Sequence, residues 1–131
     1  MEVSFETAKF AREKGFKHVP VTYAYDVCGE KYHRDYIPHC YNVRGLLSAP
    51  TQSQLQEWLR TECKIVVLVG YLPTPLKEYK KWNWEIDYSD SLHDRIVSTG
   101  FKHQSKSNWI PSFNTYEEAL EAGLIEALKL I

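Results

Sequence analysis

The segment T-Y-E-E-A-L-E-A-G-L-I-E-A-L-K-L-I, residues 115–131, constrains the fold most. Thr115 and Glu118 have capping-box spacing. Tyr116, Ala119, Leu120, Gly123, Leu124, Ala127, Leu128 and Ile131 fall on one broad apolar face of a helix. Glu117, Glu118 and Glu121 sit near the positive N-terminal end of that helix and Lys129 near its negative C-terminal end, as the dipole favours. So wide a face must be buried against another layer. Glycine inside a helix costs about 1 kcal/mol relative to alanine, so Gly123 predicts a close approach to a sheet.

Two further helices carry their own punctuation. Ser4 is placed to cap a helix over 5–14, with Val3 and Ala8 as a staple, Gly15 as a left-handed terminator and Phe16 folding back. Thr51 and Gln54 form a second capping box, opening a helix over 52–62. Leu55, Trp58 and Leu59 make its apolar stripe, while Gln52, Gln56, Glu57 and Arg60 face away.

Between the helices the period shortens to two. Val21, Tyr23 and Tyr25 alternate with Thr22, Ala24 and Asp26, and Tyr32, Arg34 and Tyr36 with His33, Asp35 and Ile37. Residues 26–30 join these runs with Asp and Gly, a hairpin signal. Residues 38–50 hold Pro38, Asn42, Gly45, Ser48 and Pro50 and read as irregular. The run K-I-V-V-L-V-G-Y-L, residues 64–72, predicts a central strand covered on both sides. Trp82, Trp84, Ile86 and Tyr88 alternate with Asn83, Glu85 and Asp87, a strand with one polar face. Another strand is expected over 95–98, and 100–114 reads as loop with a short edge strand.

These elements predict a single α+β domain over 1–131: one antiparallel or mixed sheet of about 4–5 strands, with three helices packed mainly on one face. A chain of 131 residues buries enough surface to fold as one domain without metals or disulfides.

Three stretches, S-A-P-T-Q-S-Q-L-Q-E-W-L-R (48–60), residues 115–131 and the opening F-E-T-A-K-F-A-R-E-K-G-F, together resemble a family of small proteins. Its members are common in Bacteroides-type gut bacteria, their phages and mobile elements. The segment from Tyr71 to Ser112 departs most from the pattern. The resemblance implies a small α+β fold and a mobile-element setting. It carries no activity, cofactor or catalytic residue. The matching residues are caps and core, which record a fold.

Several function classes are disfavoured. Sixteen basic against 17 acidic residues give a net charge of −1, which argues against a generally basic nucleic-acid binder. No apolar window is long enough to span a membrane. The opening M-E-V-S-F-E-T-A-K predicts no secretory signal. Three cysteines without C-x-x-C spacing suggest a reduced, cytoplasmic setting in a bacterial host. Gly29, Gly45, Gly70 and Gly100 are isolated, so no phosphate loop exists.

The remaining chemistry lies in scattered groups. Cys28, His33, His39 and Cys40 have zinc-ligand atom types, but C-x4-H-x5-H-C is not a usual zinc spacing. His33 with Asp35 and His93 with Asp94 are the acid–base candidates. Cys40 and Cys63 are the thiol nucleophile candidates, and each would need a neighbouring base. The aromatic and basic segments are more suggestive. Tyr79, Lys80, Lys81, Trp82 and Trp84 mix rings with positive charge, and Lys102, His103, Lys106 and Trp109 do so again. Such mixtures stack on bases or anchor protein interfaces. Trp84 also fits the core-facing row of its strand.

The expected function is a non-enzymatic binding protein, with Tyr79, Lys80, Lys81, Trp82, Lys102, His103 and Trp109 as its partner-binding residues and no cofactor. The expected partner is a host protein, a second copy of the chain or a nucleotide-like ligand. The alternatives are a nucleic-acid-binding accessory protein and a small hydrolase using the His/Asp pairs.

Overall fold

The capping signals and the period-2 runs both become structure in the computed structural model, which describes residues 1–17, 22–33, 46–71, 82–89, 95–99, 102–105, 108–110 and 113–131. The class is α+β, with three helices and eight strands among the described residues. The chain forms two compact units, Met1–Leu55 and Gln56–Ile131.

In the first unit, α1 runs Phe5–Glu13. The Ser4 hydroxyl accepts the Thr7 N–H at 3.2 Å, which satisfies a first-turn donor. At the other end, the Gly15 N–H donates to Arg12 O and the Phe16 N–H to Ala11 O. This is the Schellman pattern, with Gly15 at a φ of 99°. Val3, Ala8, Ala11 and Phe16 are all buried, so staple and terminator both close onto the core.

Strands β1 (Tyr23–Tyr25) and β2 (Lys31–His33) pair antiparallel, Tyr23 opposite His33 and Tyr25 opposite Lys31. Asp26 organises the turn. Its buried carboxylate accepts the N–H of Cys28 at 2.8 Å and of Glu30 at 2.9 Å. Two donors on one carboxylate oxygen offset the cost of burying the charge. Gly29 completes the turn at a φ of 85°, its Cα facing the Phe5 ring.

The segment expected to be irregular contains a strand. Leu47–Ala49 form β3 on the other side of β1, giving the order β2-β1-β3. Three residues are too few to show a period, and β1 supplies the pairing. Before α1, the chain is stitched to the segment after β3. Val3 N–H donates to Pro50 O at 2.9 Å and Gln52 N–H to Met1 O at 2.8 Å. The buried Tyr25 hydroxyl donates to Val3 O at 2.6 Å.

Helix α2 (Gln52–Glu62) begins in the first unit and ends in the second. Its capping box is reciprocal: Gln54 N–H donates to the Thr51 hydroxyl at 3.1 Å, and Thr51 N–H to Gln54 Oε1 at 2.9 Å. Leu55 and Leu59 are fully buried. Gln52, expected to face away, is also buried.

In the second unit, β4 (Ile65–Tyr71), β5 (Trp82–Ser89) and β6 (Arg95–Thr99) form an antiparallel sheet in that order. β7 (Lys102–Ser105) and β8 (Asn108–Ile110) pair separately, so the stretch read mostly as loop carries two short strands. All described ladders are antiparallel, and they divide the strands into groups of three, three and two. The helices are likewise divided: α1 lies against β3, and α3 (Tyr116–Leu128) packs on β4 and β5.

Ile65 and Val67 of β4 and Trp84 and Ile86 of β5 are buried on the sheet face under α3. Leu120, Leu124 and Leu128 are buried on the helix side. Gly123 allows the close approach foreseen for it: a Cβ there would meet Val67 and Trp84. Three details depart from the sequence reading. β4 borders a single described strand, and Leu68, on the face away from Val67, is half exposed, so that face is not covered along its whole length. A continuous apolar run does not reveal whether its second face is covered. Asn83, assigned to the polar face, is buried, and Tyr116 and Ile131, assigned to the buried helix face, are exposed.

Candidate functional site

Antiparallel register places Tyr71, the last residue of β4, directly opposite Trp82, the first of β5. Their rings meet edge to face, with centroids 5.0 Å apart at 63°. The Trp82 ring makes a second such contact with Tyr116 at the start of α3, 5.6 Å and 88°. Edge-to-face pairs set the positive rim of one ring against the negative face of another, worth about 0.5–1.5 kcal/mol each. Trp82 is also fixed by its backbone: it exchanges two hydrogen bonds with Phe113, at 3.0 and 3.1 Å.

The three rings pack against one another yet stay open to solvent. Tyr71 is 50% exposed and Tyr116 40%, and Trp82 is half-buried between them. Ordered aromatic rings lose little conformational entropy on binding and bury a large area, the properties of an interface anchor. The charges that follow Tyr116 in the first turn of α3 are acidic, Glu117 and Glu118. Glu118 also accepts the Asn114 N–H at 3.2 Å, one residue before the N-cap expected for a capping box. The acidic turn beside the rings suits an apolar or cationic partner better than a polyanion.

Among the other expected partner-binding residues, Tyr79, Lys80 and Lys81 lie outside the described residues. Lys102 and His103 are in β7 and Trp109 in β8, where His103 and Trp109 are register partners. Tyr71 and Tyr116 were missed as site residues. Tyr71 reaches the cluster through register across the 72–81 connection, which no local pattern encodes, and Tyr116 had been assigned to the core.

Of the acid–base, thiol and metal candidates, Cys28, His33 and Cys63 fall among the described residues. His33 lies on β2 with its ring edge-on to Tyr23, 5.3 Å and 88°. The Tyr23 ring also receives the Lys31 ammonium at 4.9 Å, and Lys31 pairs with Glu2 at 3.4 Å. Asp35, His39, Cys40, His93 and Asp94 lie outside the described residues. Cys28 is exposed in the β1–β2 turn. Among the described residues no three His, Cys, Asp or Glu side chains group as metal ligands. Burial and the neighbouring Glu62 carboxylate push the Cys63 thiol up, which opposes a thiolate nucleophile there.

No helix among the described residues is long and apolar enough to cross a membrane. Compared with family models, curated proteins and solved structures, the chain finds no match.

Proposed function

We propose that this chain is a non-enzymatic binding protein whose partner surface is centred on Trp82. The observation that carries the reading is the mutually packed, half-exposed trio of Tyr71, Trp82 and Tyr116. The partner is a protein, either a host protein or a second copy of the chain, anchored by these rings. Tyr79, Lys80, Lys81, Lys102, His103 and Trp109 extend the surface in the proposal. The proposal places the chain in a bacterial cytoplasm, on its three cysteines without C-x-x-C spacing, and in a phage or mobile-element setting, on the resemblance of the opening segment, residues 48–60 and residues 115–131.

Sedimentation of the purified chain over a wide concentration range, alone and with candidate host proteins, tests the reading. The comparison is with Tyr71→Ser/Tyr116→Ser, which removes exposed rings and spares the buried core. Self-association or complex formation that the double variant weakens by tenfold or more supports the surface, since aromatic hot spots contribute about 2 kcal/mol or more. Association that the variant leaves unchanged refutes it.

A further inference from the structure

The first unit carries a feature independent of the aromatic trio. Between α1 and β3 lies a depression of about 290 Å³. The buried Ala8 and Phe16 form its floor and the half-buried Leu46 and Leu47 a wall, while Arg12 and Lys17 stand exposed at its rim. Ser48 adds a hydroxyl. No acidic side chain is among the described residues that line it. A wider depression of about 430 Å³ adjoins it and shares Arg12 and Leu47. There Lys9 is offset by Glu13 and Asp26, so the anion-seeking part is the narrower one.

The two cations have different local roles. Arg12 lies in the last turn of α1, where a cation suits the helix dipole. Lys17 lies beyond the helix end and has no such role. Neither forms an ion pair among the described residues. An apolar floor rimmed by two cations is complementary to a molecule with an apolar body and one anionic end. Guanidinium geometry favours a carboxylate, which it can hold through two parallel hydrogen bonds. The volume lies at the small end of ligand sites, which favours a short chain over a large ring system.

We propose that this depression binds a small amphipathic carboxylate. The apolar body rests on Ala8, Phe16, Leu46 and Leu47, and the carboxylate meets Arg12 and Lys17.

The test titrates the full chain with octanoate, followed by amide chemical shifts in NMR. Octanamide serves as the neutral control and acetate as the headgroup alone. Octanoate should saturate with shifts concentrated at residues 8–17 and 46–48. Octanamide and acetate should each bind at least about tenfold more weakly, the loss of one charge-assisted contact or of the apolar body. Arg12→Gln/Lys17→Gln should weaken octanoate by about tenfold. Both positions are exposed and Arg12 contributes only its helix-end charge, so the thermal midpoint should fall by no more than a few degrees. Octanamide binding as tightly as octanoate, acetate binding as tightly as octanoate, an unaffected double variant, or shifts centred elsewhere would each overturn the proposal. If the Trp82 surface fails its own test, this site is unaffected, because no residue is shared.

Discussion

Gly123 of α3 stands so close to Trp84 of β5 that a methyl group on the glycine would lie 2.9 Å from the Trp84 Cβ. The same methyl would meet Val67 Cγ1 at 2.9 Å. Both partners are buried, and the tryptophan atom is next to the backbone, so neither can swing aside. Gly123→Ala therefore sets two terms against each other. Helix propensity gains about 1 kcal/mol, and overpacking costs about 1–3 kcal/mol. The expected net result is a loss of about 1 kcal/mol in urea unfolding, with a larger loss for Gly123→Val. An alanine variant as stable as the parent would mean that the helix can shift off the sheet.

The helix starts offer a cleaner measurement, because each cap acts through local hydrogen bonds within one turn. Thr51→Ala removes the acceptor for the Gln54 N–H, and Thr115→Ala that for the Glu118 N–H. Each should cost about 1 kcal/mol by chemical denaturation. Gln54→Ala should cost part of the Thr51→Ala loss, since it frees only the Thr51 N–H. A double-mutant cycle between Thr51 and Gln54 should show coupling, because the two bonds share one geometry. Independent effects would show that the box is not formed in solution.

These caps explain why the helices were legible from sequence. Ser4, Gly15, Thr51, Gln54 and Thr115 act within a few residues of themselves, so their pattern survives without tertiary information. The hairpin was legible for the same reason, since Asp26 closes its own turn on Cys28 and Glu30. β3 was not, because Leu47–Ala49 become a strand only through Tyr23–Tyr25. That β4 borders a single described strand was hidden by a continuous apolar run. The candidate surface was half visible: Trp82 stood out as an aromatic beside lysines, whereas Tyr71 joins it by register and Tyr116 by helix packing. The cationic depression gave no signal at all. Arg12 and Lys17 meet Leu46 and Leu47 only after folding.

Lys64 is the one described non-glycine residue with positive φ, at 60°. It terminates α2, where glycine is the usual occupant, and its ammonium donates to Thr61 O at 2.8 Å. The left-handed conformation costs a side-chain-bearing residue about 1–2 kcal/mol. Lys64→Gly removes that strain, loses one exposed hydrogen bond and frees the unfolded chain. The expected balance is a stabilisation of about 0.5 kcal/mol, measured by thermal and urea unfolding. Lys64→Val should destabilise, since branching worsens the left-handed conformation.

Cys63 should alkylate slowly. Burial raises its thiol and the Glu62 carboxylate raises it further, so thiolate is scarce at neutral pH. Mass spectrometry after brief iodoacetamide treatment should find the exposed Cys28 labelled before Cys63. Glu62→Gln should speed labelling at Cys63 by removing one of the two causes. An unchanged rate would assign the protection to steric burial alone.

Glu2 sets an acid-side dependence. Partial burial pushes its carboxyl up, but the backbone N–H and the Lys31 ammonium outweigh that, and it lies below its ordinary value of 4.5. A carboxylate lowered in the folded state holds its proton less tightly there than in the unfolded chain. Its stabilising contribution is therefore complete above about pH 4.5, the unfolded value, and disappears as pH falls through the lower folded value. Glu2→Gln should be less stable than the parent at pH 6, and the difference should shrink progressively below pH 4.5. Lys31→Gln should reproduce part of this behaviour, because Lys31 is the partner at 3.4 Å. Added salt should diminish the Lys31 part at pH 6, since the pair is partly open to solvent. Urea midpoints across pH 3–6 for the parent and both variants decide the matter. A Glu2→Gln difference that persists undiminished at the acid end would assign the role of Glu2 to packing and neutral hydrogen bonding rather than to its charge.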